Sequence, residues 1–256
     1  MNDMKDKIII VTGASSGIGR ATALKFGKRG GKIILVDRSE NKLKEVAQDI
    51  VGDGGDAKVV LADVTRQSDL DRILRVTVET WGGVDVLVNA AGIIYSGTVE
   101  TTSLDDWDKM MDINVRGPFY LMQLVMPYLI ERKGNVVNVS SVTGPRAFPG
   151  ILAYCVSKAA MDQLTHCVAL EMADKGVRVN AVNPGVVVSQ LHRSGGMDEE
   201  AYAAFLEHSK TTHPLGRVGQ PEEVAELVYF LASPKAAWIT GTVNLIDGGR
   251  GQTCAR

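Results

Sequence analysis

The sequence predicts an α/β fold built on a doubly wound parallel sheet of about seven strands in a single domain, and three observations carry that expectation. Short β-branched runs recur along the 256 residues, longer stretches of helical periodicity separate them, and a glycine-rich turn follows directly on the first run. Strand and helix in alternation make βαβ units, whose crossover helices cover both faces of a parallel sheet. The runs suit such burial because both alternations are apolar, as in Ile8, Ile9, Ile10 and Val11 or Val84, Val86, Leu87 and Val88.

In chain order the strand-sized runs cover residues 7–11, 32–36, 57–61, 84–88, 134–139, 177–182 and 242–245. Helical periodicity falls on 20–29, 41–51, 67–81, 104–132, 153–175 and 222–231. In an open sheet of this kind ligands bind beyond the carboxyl ends of the strands, so functional residues are expected just after these runs. Residues 188–217 break the rhythm. They hold Gly195 and Gly196, a short helix expected over 198–208, and Pro214. Their place after a strand's carboxyl end predicts a substrate lid, with the paired glycines as hinges.

Composition narrows the functional classes. A chain that is 45% hydrophobic and 23% charged is not of disordered type. A net charge of −2 leaves no positive field for a nucleic acid or an anionic membrane surface. Cys155, Cys167 and Cys254 show no CxxC spacing or disulfide framework, which suits a reducing compartment. The apolar run at 8–11 is too short for a secretory signal or a membrane span. A cytoplasmic protein is expected. His166, His192, His208 and His213 have no metal-ligand spacing, so no metal is expected.

The turn after the first run reads Thr12, Gly13, Ala14, Ser15, Ser16, Gly17, Ile18, Gly19 and opens into a helix. Glycines let backbone N–H groups close on a diphosphate while the helix N-terminus adds partial positive charge. The second run ends in Asp37, whose carboxylate can accept both ribose hydroxyls of an adenosine and repels a 2′-phosphate. That choice favours NAD, although Arg38 beside it is able to pair with a phosphate and Ser16 contributes no charge. Asp63, with Val64, follows the third run and suits the adenine amino group; Asn89, Ala90, Ala91 and Gly92 follow the fourth and let backbone pass close to a cofactor.

The fifth run leads into Ser141, and thirteen residues later comes Tyr154, with Lys158 four residues beyond it. That spacing puts phenol and ammonium on one helix face. A phenol of ordinary pKa about 10 serves as a base near neutrality only beside positive charge. Lys158 and an oxidised nicotinamide would supply it, while Ser141 hydrogen-bonds the same substrate oxygen. Asn114, in the preceding helical run, offers an amide to hold a water leading protons away from Lys158.

With these residues the chain resembles the short-chain dehydrogenase/reductase superfamily along nearly its whole length. The TGxxxGIG turn stands at Thr12 to Gly19, the acidic adenine contact at Asp63, an NAAG form of the NNAG element at Asn89 to Gly92, and the tetrad at Asn114, Ser141, Tyr154 and Lys158. The likeness continues through Asn183, Pro184 and Gly185, through Pro214 to Arg217, and into Asp247, Gly248 and Gly249. Ser189 replaces the more usual threonine at the nicotinamide carboxamide and keeps its hydroxyl. The resemblance implies a seven-stranded Rossmann sheet and hydride transfer between nicotinamide and a secondary alcohol or ketone, with Tyr154 as acid and base. It implies a cofactor site of Gly13, Ser15, Ser16, Gly17, Ile18, Gly19, Asp37, Arg38, Asp63, Val64, Asn89, Ala90, Ala91, Gly92, Tyr154, Lys158, Pro184, Gly185, Val187 and Ser189.

For the small-molecule substrate, the expected wall is Ile94, Ser141, Val142, Phe148, Ile151, Tyr154, Val186, Leu191, Met197 and Phe205, with His192 and Arg193 as polar anchors. The rival within enzymes is an NADPH-dependent 3-oxoacyl-thioester reductase acting on an acyl carrier protein, against which Asp37 and Ser16 argue. A rival of another class is a non-catalytic NAD-sensing regulator, which leaves the tetrad unexplained. The run 104–132 is apolar nearly all round and the helix after Tyr154 is similar. Self-association follows, and the resemblance implies a homotetramer in which two such helices per subunit meet.

Overall fold

The structure, a computed structural model, describes residues 4–253, so Cys254 lies outside the described residues. Seven strands form one parallel sheet: β1 (Ile8–Thr12), β2 (Lys32–Asp37), β3 (Asp56–Leu61), β4 (Val86–Asn89), β5 (Asn135–Val139), β6 (Arg178–Pro184) and β7 (Val243–Ile246). Their order across the sheet is β3-β2-β1-β4-β5-β6-β7, and the expected doubly wound Rossmann architecture is the one observed. The order reverses between β1 and β4, whose register runs from Ile9 opposite Val86 to Thr12 opposite Asn89. A cleft opens at such a switch point because the connections leave in opposite directions.

Alternate side chains of the buried strands feed two cores. Ile9, Val11, Ile33, Leu35, Val86 and Val88 face α1 (Gly17–Gly27), α2 (Glu40–Gly52) and α9 (Pro221–Ala232). Ile10, Ile34, Val36, Leu87 and Val136 face α3 (Gln67–Trp81), α5 (Gly117–Arg132) and α6 (Leu152–Met172). This period-two split is why the runs read as apolar at every position. The edge strands β3 and β7 depart from it, with Asp56 and Lys58 among the more open positions of the first and Leu245 exposed on the second.

The expected 104–132 helix is three pieces. α4 (Leu104–Met111) and α5 are joined by a π-helical turn over Asp112–Arg116. Gly117 donates to the Asp112 carbonyl, five residues back, and Pro118, which has no N–H, removes the ordinary donor to the Asn114 carbonyl. Apolar periodicity does not register such a slip, because it shifts the face by only a fraction of a turn. Within 188–217 lie α7 (Leu191–Ser194) and α8 (Glu199–Thr212), the latter a turn longer than expected and capped by the Asp198 carboxylate accepting the Ala201 N–H at 2.8 Å. Gly196 is left-handed at φ +99°, as a hinge or turn would require. Gly195 is there for another reason: a Cβ on it would sit 2.2 Å from the Ile94 carbonyl oxygen.

Candidate active site

A cleft of about 1030 Å³ runs along the carboxyl ends of the strands. Its first wall is the glycine turn. Thr12 at the end of β1 accepts the N–H groups of Ala90 and Ala91 on its Oγ1, both at 3.1 Å, which ties this turn to the one after β4. Gly13 and Gly17 hold φ of +67° and +52°, and a Cβ on Gly19 would lie 2.2 Å from the Gly13 carbonyl oxygen. The Ser16 hydroxyl makes no capping bond, and the first turn of α1 has no acidic residue. The backbone donors at Gly17, Ile18 and Gly19 therefore meet the cleft uncapped, a fit for a diphosphate.

At the end of the cleft expected to take an adenosine stand Asp37, Arg38, Asp63 and Val64. One oxygen of Asp37 accepts the N–H groups of Arg38 and Ser39, at 2.7 and 3.2 Å, which orients the other. Partial burial pushes the Asp63 carboxyl up, but the Thr65 hydrogen bonds and the charges of Arg38 and Arg66 outweigh it and hold this acid below its ordinary range. Lys42 also lines the cleft here. Sequence reasoning passed over it because a lysine on an amphipathic helix reads as a solvated face.

Ser141, Tyr154 and Lys158 come together where β5 and α6 meet, and all three are buried. Gly144 allows this approach: a Cβ there would lie 2.0 Å from the Asp162 carboxylate on α6. The Lys158 ammonium donates to the Val139 carbonyl at 2.9 Å and lies 5.6 Å from the centre of the Tyr154 ring. Burial pushes the phenol up to about 12, although a hydrogen bond with Ser141 opposes the shift. Burial pulls the ammonium down to about 8, against the attraction of Asp162. Asp162 is one helical turn past Lys158 and accepts from Asn183 at 2.9 and 3.2 Å. Its i+4 distance from Lys158 was the signal that could have found it.

Two expected roles change. The Asn114 side chain has both donors engaged: Nδ2 donates to the Ile93 carbonyl at 2.9 Å and to Ser157 Oγ at 3.0 Å, and Oδ1 accepts the Ile93 N–H at 2.9 Å. Its amide fixes the loop after β4 and has no N–H left to offer a water, while Pro118 withholds the ordinary helical donor from its main-chain carbonyl. Asn89 lies beneath the cleft, where its Nδ2 donates to Asn138 Oδ1 at 2.9 Å. Alternation along β4 turns it to the face that α6 covers, while Ala90, Ala91 and Gly92 line the cavity.

Pro184, Gly185, Val187 and Ser189 line the far end of the cofactor groove, and all the expected substrate-wall residues, from Ile94 and Val142 to Met197 and Phe205, share its inner surface. The loop is held from behind. Tyr202 on α8 donates to the Ser189 carbonyl at 2.9 Å and accepts its N–H at 3.1 Å. His213 accepts the Val186 N–H on Nε2 at 3.1 Å, so its proton is on Nδ1, donated to the Ser209 carbonyl at 2.6 Å. His192 lines the cleft, its ring centre 4.5 Å from that of Phe205. Arg193 turns away, paired with Glu199 at 3.1 Å and stacked over Tyr202. Arg250, beside Phe148, also faces the cavity and had no motif to announce it.

A parallel sheet with uncapped donors at its switch point and a buried serine, tyrosine and lysine beyond it defines a dinucleotide-binding oxidoreductase. Comparison with known proteins agrees. Residues 13–250 match the family model described as enoyl-(acyl carrier protein) reductase. Two proteins of Thermotoga maritima are similar over 96% of this chain and 98% of their own: an uncharacterized oxidoreductase at 39% identity and a 3-oxoacyl-[acyl-carrier-protein] reductase at 37%. A short-chain dehydrogenase/reductase of unknown function from Caenorhabditis elegans, solved with cofactor, superposes with a TM-score of 0.93 at 35% identity, covering 98% of this chain and 97% of that one. The chain belongs to the short-chain dehydrogenase/reductase family. Its members are oxidoreductases that use NAD or NADP.

Proposed function

We propose that the protein oxidises a secondary alcohol to a ketone, or runs the reverse reaction, with NAD as partner and Tyr154 as acid and base. The juxtaposition of Tyr154, Lys158 and Ser141 at the inner end of the cleft carries this reading. When bound, the nicotinamide supplies the acceptor or donor of the hydride. In oxidation the carbinol O–H gives its proton to Tyr154 as its C–H electrons leave, and the C=O forms; Ser141 hydrogen-bonds that oxygen throughout. With the phenol pushed up to about 12 by burial, Lys158 alone does not make it a base at neutral pH. An oxidised ring bound beside Tyr154 would add the second positive charge that favours its phenolate, so Tyr154 would take up a proton only with cofactor in place. Lys158 then returns the proton outward, and Asn114, whose carbonyl loses its ordinary helical donor at Pro118, holds the first water of that path.

Asp37 supports NAD. Arg38 and Lys42 in the same wall support the other choice, an NADPH-dependent 3-oxoacyl-thioester reductase, a substrate class that one Thermotoga relative is named for. Initial rates with the two cofactors decide: a strong preference for NADP(H) overturns the Asp37 reading. Residues 188–217 act as the lid of the single domain 1–256. Self-association uses α5 and α6, where Phe119 on one and Val156 and Leu170 on the other remain exposed, with Ala159, Gln163 and Cys167 between them uncharged. We expect a homotetramer, and a monomer in light scattering at micromolar concentration refutes it. Among the described residues no helix is long and apolar enough to cross a membrane. Cys155 and Cys167 are unpaired, in keeping with a cytoplasmic location.

A further inference from the structure

We propose that Arg250 is a specificity-determining residue that binds a carboxylate on the substrate, so that the substrate is a secondary alcohol carrying a carboxyl group, or the matching oxo acid. This rests on the oxidoreductase reading above and narrows its substrate class.

Arg250 begins the short 3₁₀ turn after β7, Arg250–Gln252, and its guanidinium faces the cleft among apolar walls. It is half-buried and makes no ion pair among the described residues. The nearby acid, Asp247, is committed elsewhere: its two oxygens accept the N–H groups of Gly249 and Gly251, at 2.9 and 2.5 Å, and shape the turn. A cation in such a place has lost part of its hydration without an ion pair to replace it: burial draws the Arg250 pKa downward, and the charge of Asp247 offsets that only in part. An anion delivered by the substrate would restore what desolvation removed.

The guanidinium is also held in place. It lies over the Phe148 ring, 5.0 Å from its centre, and donates to Thr212 Oγ1 on α8. Arg146 fastens the segment that carries it, donating to the carbonyls of Gly251 and Thr253 at 2.5 and 2.6 Å. Stacking and one hydrogen bond fix the plane and leave the other N–H groups of a planar fork for the cleft, which is the geometry that matches a carboxylate in two parallel bonds. A phosphate dianion asks for more positive charge than one guanidinium, and Arg146, the other arginine of this corner, is spent on backbone.

The test compares paired probes: 3-hydroxybutanoate and 4-hydroxypentanoate, both enantiomers, each with its methyl ester, using the full-length enzyme and saturating NAD. The wild type is expected to prefer acid over ester in kcat/KM by roughly 30-fold or more, the effect of a charge-assisted bidentate bond. Arg250→Met should collapse that ratio toward unity through KM, and Arg250→Lys should keep part of it. The ratio is internally normalised, since a poorly folded variant loses both activities together. Equal use of acid and ester by the wild type, or an unchanged ratio in Arg250→Met, overturns the proposal while leaving alcohol oxidation in place. So does preference for an alcohol of similar length bearing a phosphate. Binding of acetoacetate and its methyl ester to the enzyme with NADH, followed by fluorescence, reads the same selectivity without turnover. Acid selectivity there with no turnover of any alcohol would refute the oxidoreductase reading and not the carboxylate site; equal binding would refute the site.

Discussion

The two ends of the cleft are made of different material. At the cofactor end, between β1 and β4, the contact surface is backbone: N–H groups of a glycine turn, small residues after β4, and one threonine joining them. At the substrate end it is side chain, contributed by the loop after β5, by α7 and α8, and by the turn after β7. Backbone reaches a ligand only where side chains are absent, so the first kind of site leaves glycines at fixed spacing in one short segment. The second kind asks only that scattered residues have the right size and charge, and no local spacing records it.

The buried Ser141, Tyr154 and Lys158 lie between the two and yield the largest expected effect. Tyr154→Phe removes the proton carrier and keeps the ring, so turnover should fall by about 10²- to 10⁴-fold while dinucleotide affinity, measured by NADH fluorescence, changes little. Retained turnover would sink the assigned mechanism. Next come two glycines that set the ends against each other. In Gly19→Ala the new methyl meets the Gly13 carbonyl oxygen at 2.2 Å, a backbone atom with no rotamer to give way, so the turn must open. A loss of about 2 to 3 kcal/mol in urea unfolding, together with weakened NADH binding, is expected. Gly196→Ala meets no atom within 4 Å and suffers only its φ of +99°. It should cost about 1 to 2 kcal/mol and leave NADH binding alone. Equal effects on cofactor affinity would erase the contrast.

Asp37→Ser tests how far the backbone end depends on one carboxylate. With the charge gone and Arg38 and Lys42 still in the wall, the ratio of kcat/KM for NAD over NADP should fall by about tenfold, an increment of about 1.4 kcal/mol. An unchanged ratio would mean that Asp37 serves only to accept the Arg38 and Ser39 N–H groups.

Much of this could be read before any coordinates. The strand order's consequence, a site beyond the carboxyl ends, followed from alternation alone, and the glycine turn and the Tyr154–Lys158 spacing located its two fixed points. What stayed hidden is what depends on hydrogen bonds between distant segments. The π-turn at Asn114 goes with Pro118 and with Gly117, whose Cβ would lie 2.5 Å from the Val64 carbonyl oxygen, neither of which disturbs the apolar pattern. Asn89 reads as a cofactor contact in its motif, yet its neighbour across the sheet, Asn138, takes the side chain. Arg250 and His213 sit in ordinary-looking turns, and only folding places them at the site.

His213 gives the smallest effect and the finest test of the substrate end, because its service there is to hold backbone. Its Nε2 accepts the Val186 N–H, so the imidazole must be neutral; a proton on that nitrogen would face another N–H. Burial is the main cause of a pKa held below the ordinary histidine value; the Arg250 charge adds to it, while the Ser209 carbonyl and Asp247 oppose it. The unfolded chain takes up a proton near the ordinary value of about 6.5 while the folded chain resists, so stability is lost as pH falls through 6.5 and until the folded pKa is passed. At most about 1.4 kcal/mol per pH unit is at stake. His192, also lowered by burial, adds a loss of the same sign, so the diagnostic quantity is the difference between proteins. In His213→Gln a side-chain carbonyl can still accept the Val186 N–H and nothing titrates. Urea unfolding at pH 7.5 and 5.5 should show the wild type losing about 1 kcal/mol more than this variant, with KM for the alcohol rising in acid only in the wild type. Parallel losses in the two proteins would mean that His213 merely fills space behind the loop, and that the substrate end is held by Tyr202 and by the backbone bonds of Val186 and Val188 to Gly219.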